Sequence, residues 1–221
     1  MNIFDIVGPV MVGPSSSHTA GAVKIGNISQ KLLNEQVKAA EIWLHGSFAA
    51  TGKGHGTDKA LVAGLLGMKV DDPKVPDSLS IAEELGIRIH IGRIDLGDCH
   101  PNSTKINIWG ESEQNLEIIA ASIGGGRIQI NQIDGLTVDF SGDFPTLIVH
   151  NLDLPGHVTE VTTLLAQKKI NIATMQLYRT KRGGDAVMVI ECDQEVTDSV
   201  IECLKKLQGI LKVTYLRLRE V

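Results

Sequence analysis

A chain of 221 residues with 43% hydrophobic and 21% charged residues is ordinary globular material, long enough for two domains and neither disordered nor fibrous. Its net charge of −5, without a basic run of about five residues, excludes a protein that tracks nucleic-acid phosphates. No stretch of about 18 apolar residues offers a membrane span, and residues 1–5 lack the basic start of a signal peptide, so a cytoplasmic protein is expected.

Glycine is distributed unevenly, with 19 of 23 in residues 1–144, and acidic residues outnumber basic ones only in that part. Two domains are expected, 1–143 and 145–221. In the first, helices are predicted over about 19–34, from near Asp58 through Leu66, and over 78–85, where Gly86 stops the last. Strands are expected around 42–44, 87–94, 104–109, 116–122 and 127–133, so this domain reads as mixed α/β. Gly124, Gly125 and Gly126 read as a strand break.

The second domain begins with a β-branched strand at 146–150 and the turn Asn151-Leu152-Asp153-Leu154-Pro155-Gly156. A helix follows with Val158, Val161, Leu164 and Leu165 at one-face spacing. Strands at 170–179 and 185–192 flank Lys181-Arg182-Gly183-Gly184, whose glycines supply the positive φ a hairpin requires. A helix over 197–207, stopped by Gly209, and a strand over 211–218 complete a ferredoxin-like βαββαβ order.

Three loops carry chemistry. Gly13-Pro14-Ser15-Ser16-Ser17-His18-Thr19 lies directly before a helix, where serine hydroxyls cap and backbone N–H groups attract anions. One capping serine would be ordinary, but a histidine among four hydroxyl residues points to an anion-binding loop with His18 placed for acid–base work. In Thr51-Gly52-Lys53-Gly54-His55-Gly56-Thr57-Asp58, alternating glycines suggest a loop open to close ligand approach, though neither common phosphate fingerprint fits. Asp58 there reads as a helix cap, and His45 is equally well a hydrogen-bonded core histidine. Asp98-Cys99-His100-Pro101-Asn102-Ser103-Thr104 needs no role beyond a polar turn, and His90 reads as a strand residue. Cys99, Cys192 and Cys203 are odd in number and spaced wrongly for a local cluster, so no metal ligand is assigned.

The second domain resembles an ACT domain, which implies an amino-acid or cation effector near Asp153, Gly156 and His157, or pairing with a second copy. Together, the Ser-Ser-Ser-His-Thr loop, Gly52-Lys53-Gly54-His55-Gly56-Thr57-Asp58 and His100-Pro101-Asn102 resemble the beta subunit of the iron–sulfur-dependent L-serine dehydratases along essentially the whole chain. That resemblance implies a first domain similar to the allosteric-substrate-binding domain of some phosphoglycerate dehydrogenases. It also implies an alpha-subunit partner holding a 4Fe-4S cluster, L-serine as substrate, and no pyridoxal phosphate. Under it, His18 is the expected base, Ser15, Ser16, Ser17 and Thr19 hold the substrate carboxylate, and Gly54, His55, Gly56 and Thr57 line the opposite wall. Two alternatives stay open: a purely regulatory amino-acid-binding subunit with all chemistry in its partner, and a free-standing ACT sensor.

Overall fold

The structure, a computed structural model, describes residues 10–112 and 114–218, with the backbone alone at Lys53. The start at residues 1–5, considered above, lies outside the described residues. The chain divides into two compact units at Gly135/Leu136, in the turn between two strands and some residues before the expected boundary at 143–145.

In the first unit a π-helical turn, Ser16–Ala20, runs straight into α1 (Gly21–Leu33). The apolar positions of α1 are those the spacing predicts: Val23, Ile25, Ile28, Leu32 and Leu33 are all buried. Asn34 ends the helix in the left-handed region, where an Asn side chain is tolerated. Strand β1 (Val37–Leu44) follows, then α2 (Gly46–His55), α3 (Thr57–Leu65) and α4 (Ser78–Glu84). The remaining strands are β2 (Arg88–Arg93), β3 (Ser103–Gly110), β4 (Asn115–Gly124) and β5 (Arg127–Ile133). They assemble in the order β2-β1-β3-β4-β5, with β1 and β2 parallel and the other neighbours antiparallel. A short strand, β6 (Leu136–Phe140), follows β5 and was not expected.

The triple glycine has a plain structural role. Gly124, Gly125 and Gly126 all have positive φ, and they close the β4–β5 hairpin, which residues with a Cβ could not do without strain.

Helix α2 corrects the glycine-loop reading. Gly52, Lys53 and Gly54 are not an open loop but lie inside a helix, and Gly56 ends it at φ 67. Glycine and Ser/Thr are poor helix formers, so propensity alone predicts coil. Tertiary contacts override it. The Pro101 carbonyl accepts the Ser47 and Phe48 N–H groups at the helix start, and Phe48 is completely buried. Such a buried side chain contributes about 2–3 kcal/mol, comparable to the propensity deficit of two interior glycines.

The second unit contains β7 (Thr146–Leu152), α5 (His157–Gln167), β8 (Ile172–Arg179), β9 (Asp185–Cys192), α6 (Asp198–Lys205) and β10 (Ile210–Leu216). Its sheet order, β10-β7-β9-β8, is antiparallel throughout, and the βαββαβ order is as predicted. Leu147, Val149, Val161, Leu165, Met188, Ile190 and Leu204 form the aliphatic core. Val158, assigned to the apolar face of α5, is instead partly exposed. Among the described residues no helix is long and apolar enough to cross a membrane.

Candidate active site

Ser15 is extended and stands just before the π-turn, where its Oγ accepts the His18 N–H at 3.2 Å. The wider π-turn, closed by Gly21 N–H to the Ser16 carbonyl, carries His18 into a buried position beside α2. There the imidazole is bracketed by hydroxyls. Its Nδ1 lies 3.2 Å from Ser17 Oγ and 3.4 Å from Ser15 Oγ. Its Nε2 lies 3.1 Å from Ser47 Oγ and 3.2 Å from Thr51 Oγ1, both on α2. Phe48 and His55, also from α2, meet the ring edge-on at centroid separations of 5.3 and 4.9 Å.

Burial holds His18 below the ordinary histidine range, the adjacent His55 adds to this, and the Ser47 backbone carbonyl opposes it. Removing water penalises the charged ring. No carboxylate is among the partners that bracket the ring to favour the imidazolium. These surroundings favour the neutral imidazole over the imidazolium.

Of the residues expected at the site, Ser15, Ser17, His18 and His55 come together. Ser16 contributes its carbonyl to the turn. Thr19 points inward under Gly13, and its buried Oγ1 has no partner within the described residues; the same holds for His55 Nδ1 and Thr57 Oγ1. Gly54 faces open space, and Gly56 is the left-handed link between α2 and α3. His45 resolves as structural, since its Nδ1 accepts the Leu96 N–H at 3.1 Å. Asp58 accepts the Lys59 N–H rather than capping α3, whose N-cap is Gly56. His90 is an exposed strand residue against Trp43.

Sequence reasoning left Ser47 and Thr51 without a role because α2 was not expected. Their i, i+4 spacing puts them on one helical face, but that signal exists only once the helix is known. The 98–104 turn likewise gains a function: its Pro101 carbonyl caps α2, and a Cβ at Gly46 would come within 2.6 Å of that oxygen.

In the second unit the Asp153 carboxylate is already engaged, accepting from Gly183 N–H at 2.9 Å and Arg179 Nη1 at 3.0 Å. The Gly183 N–H and then Arg179 hold it below the usual carboxylate range. Gly156 opens α5 at φ 107 with empty space where a Cβ would be. His157 is buried with Nδ1 3.3 Å from Glu160, and its ring packs against Gly209.

Among the described residues no three His, Cys, Asp or Glu side chains converge as metal ligands. Cys99 and Cys203 are exposed and Cys192 is buried, with burial pushing its thiol up to about 11, far from a ligating thiolate. Among the described residues no set of side chains fits an iron–sulfur cluster.

The fold and site define a class: an α/β domain bearing a histidine–hydroxyl site, joined to a ferredoxin-like domain of the ACT type. Residues 145–209 match the ACT domain family, and residues 2–91 match the serine dehydratase beta chain family. A Bacillus subtilis protein named as an L-serine dehydratase beta chain is 41% identical over 96% of both chains. The L-serine dehydratase beta chain of Peptoniphilus asaccharolyticus is 38% identical over 89% of both. The L-serine dehydratase of Helicobacter pylori is 43% identical over 93% of this chain but only 50% of its own length. This chain belongs to the serine dehydratase beta chain family.

Proposed function

We propose that this chain is the beta subunit of a two-chain L-serine dehydratase, converting L-serine to pyruvate and ammonia, with His18 as the base that takes the substrate's α-proton. The observation that carries the role of His18 is a buried imidazole bracketed by four hydroxyls and kept neutral by its surroundings. A base that operates near neutral pH must be unprotonated there. Ser15, Ser16, Ser17 and Thr19, hydroxyl residues gathered at a helix start, hold the substrate carboxylate. His55, Gly54, Gly56 and Thr57 form the facing wall, where the empty space beside Gly54 leaves room for a ligand or the partner chain.

In this reading a 4Fe-4S cluster belongs to the alpha subunit and supplies Lewis-acid chemistry at the substrate hydroxyl. The three cysteines here are unbridged, in keeping with a reducing, cytoplasmic setting. The second unit is the regulatory part, with Gly156 and His157 at its effector site and Asp153 holding the neighbouring hairpin in place.

His18→Ala in the reconstituted two-chain enzyme tests the assignment. It should lower kcat by about 100-fold or more while the cluster absorbance stays unchanged. Undiminished kcat overturns it. A change confined to cooperativity or apparent affinity would favour the regulatory subunit instead.

A further inference from the structure

His18 is only 9% exposed and both its ring nitrogens are flanked by side chains, so a small molecule reaches the ring only if part of that surround moves. Ser15 and Ser17 are tied to the turn that carries His18, which runs straight into the well-buried α1. Every other partner of the ring among the described residues belongs to α2. These are the Ser47 and Thr51 hydroxyls, the Ser47 backbone carbonyl, and the Phe48 and His55 rings. A helix turns about 100° per residue, so positions 47, 48, 51 and 55 fall within about 100° of arc. One side of one short helix supplies the cover.

That helix is weakly held. Its 10 residues are too few for a helix to be stable by itself in water. Gly52 and Gly54 lie in its interior, its N-cap His45 makes no side-chain cap, and its first turn has no acidic residue. Among its described side chains only Phe48 is fully buried, whereas α1 buries Val23, Ile25, Ile28, Leu32 and Leu33. Its N-terminus hangs on the Pro101 carbonyl, which accepts the Ser47 N–H at 2.7 Å. So few buried apolar contacts give a low free energy of local opening. Both ends, moreover, are marked by glycines in the left-handed region, Gly46 at φ 51 and Gly56 at φ 67. Without a Cβ such residues change φ and ψ cheaply, as hinges must.

We propose that α2 is a lid: it swings on Gly46 and Gly56, is latched by Phe48 and the Pro101 carbonyl, and opens to let a small polar molecule reach His18. Closing it brings Ser47, Thr51 and His55 to the site in one movement, because they share one side of the helix. A ligand that touches any of them binds the closed state better and so favours closure. This rests on the reading of the histidine–hydroxyl site as a small-ligand site, and holds whichever group there acts as the base.

Hydrogen exchange and labelling with diethyl pyrocarbonate, a histidine reagent, both read by mass spectrometry on the full chain, test the lid. Ala50 is exposed and lies off the side of α2 that faces His18, and at Gly54 a Cβ meets nothing within 4 Å. Ala50→Gly therefore weakens the helix and Gly54→Ala strengthens it, and neither disturbs the core. In Ala50→Gly the α2 amides should exchange about fivefold faster and His18 should be labelled about fivefold faster. In Gly54→Ala both rates should fall about fivefold. The exposed His90 and His100 and the amides of α1 are the references and should not change. A His18 labelling rate that ignores both variants while α2 exchange shifts overturns the lid, since the reagent then enters by another route. Exchange of α2 as slow as that of α1 in the parent chain overturns it as well. In the two-chain enzyme L-serine should slow the labelling of His18. No such protection, with both variants responding, leaves the lid standing and overturns the ligand reading, which separates the two failures.

Discussion

In the first unit Gly26 on α1 and Gly64 on α3 let two helices touch backbone to backbone, whereas in the second unit Gly156 and Gly183 occupy turns at positive φ with open space where a Cβ would be. A Cβ at Gly26 would sit 2.2 Å from the Leu61 carbonyl oxygen, and one at Gly64 would sit 2.1 Å from that of Val23. At Gly183 the same atom meets nothing within 4 Å. One set of glycines is required by a neighbour, the other by the chain's own dihedrals. The glycine-rich composition of the first unit thus reports in part a tight helix pair whose first member begins at the His18 turn. The histidines divide similarly: His18 is bracketed by hydroxyls, while His157 lies beside a carboxylate.

Gly26→Ala tests the strongest form of this contrast. The α1–α3 pair must separate, at a cost of about 3 kcal/mol, read as a lowered denaturant midpoint in the isolated chain. If the loss is under about 1 kcal/mol, the close crossing is not needed. Gly183→Ala should cost only the left-handed strain, about 1 kcal/mol, because the added methyl has room. A larger loss would mean that the hairpin is held as tightly as the helix pair.

The smallest expected effect is electrostatic. His55→Gln removes the neighbouring ring that, after burial, depresses the basicity of His18. His18 should then titrate at higher pH, moving the acid limb of kcat/KM upward in the two-chain enzyme. An unmoved limb would show that the ring contact does not set the charge of His18. The linkage has a definite sign: with the folded-state value below 6.5, stability is full above that pH and falls as pH drops through the lower folded value.

Local pattern carried the second unit almost completely. Every strand and helix there is short, regular and punctuated by glycine or by a polar turn, and each predicted segment overlaps its observed one with ends shifted by a few residues. The His18 loop was equally legible, because hydroxyl residues directly before an apolar periodic segment have few other uses. α2 was not, since its residues Gly-Ser-Phe-Ala-Ala-Thr-Gly-Lys-Gly-His favour coil and only the distant Pro101 carbonyl and the burial of Phe48 make it a helix. β6 was missed because five residues give too little alternation to read.

The amino-acid sequence by itself therefore determined the two-part organisation, the ferredoxin-like second domain and His18 with its serines, all of which follow from short-range periodicity and capping chemistry. Only the tertiary structure decided what faces the other side of the imidazole. Ser47 and Thr51 lie about 30 residues away in sequence, on a helix stabilised by contacts that no local window contains. The protonation pattern of a histidine depends on every partner of both nitrogens, so it is a property of the folded chain.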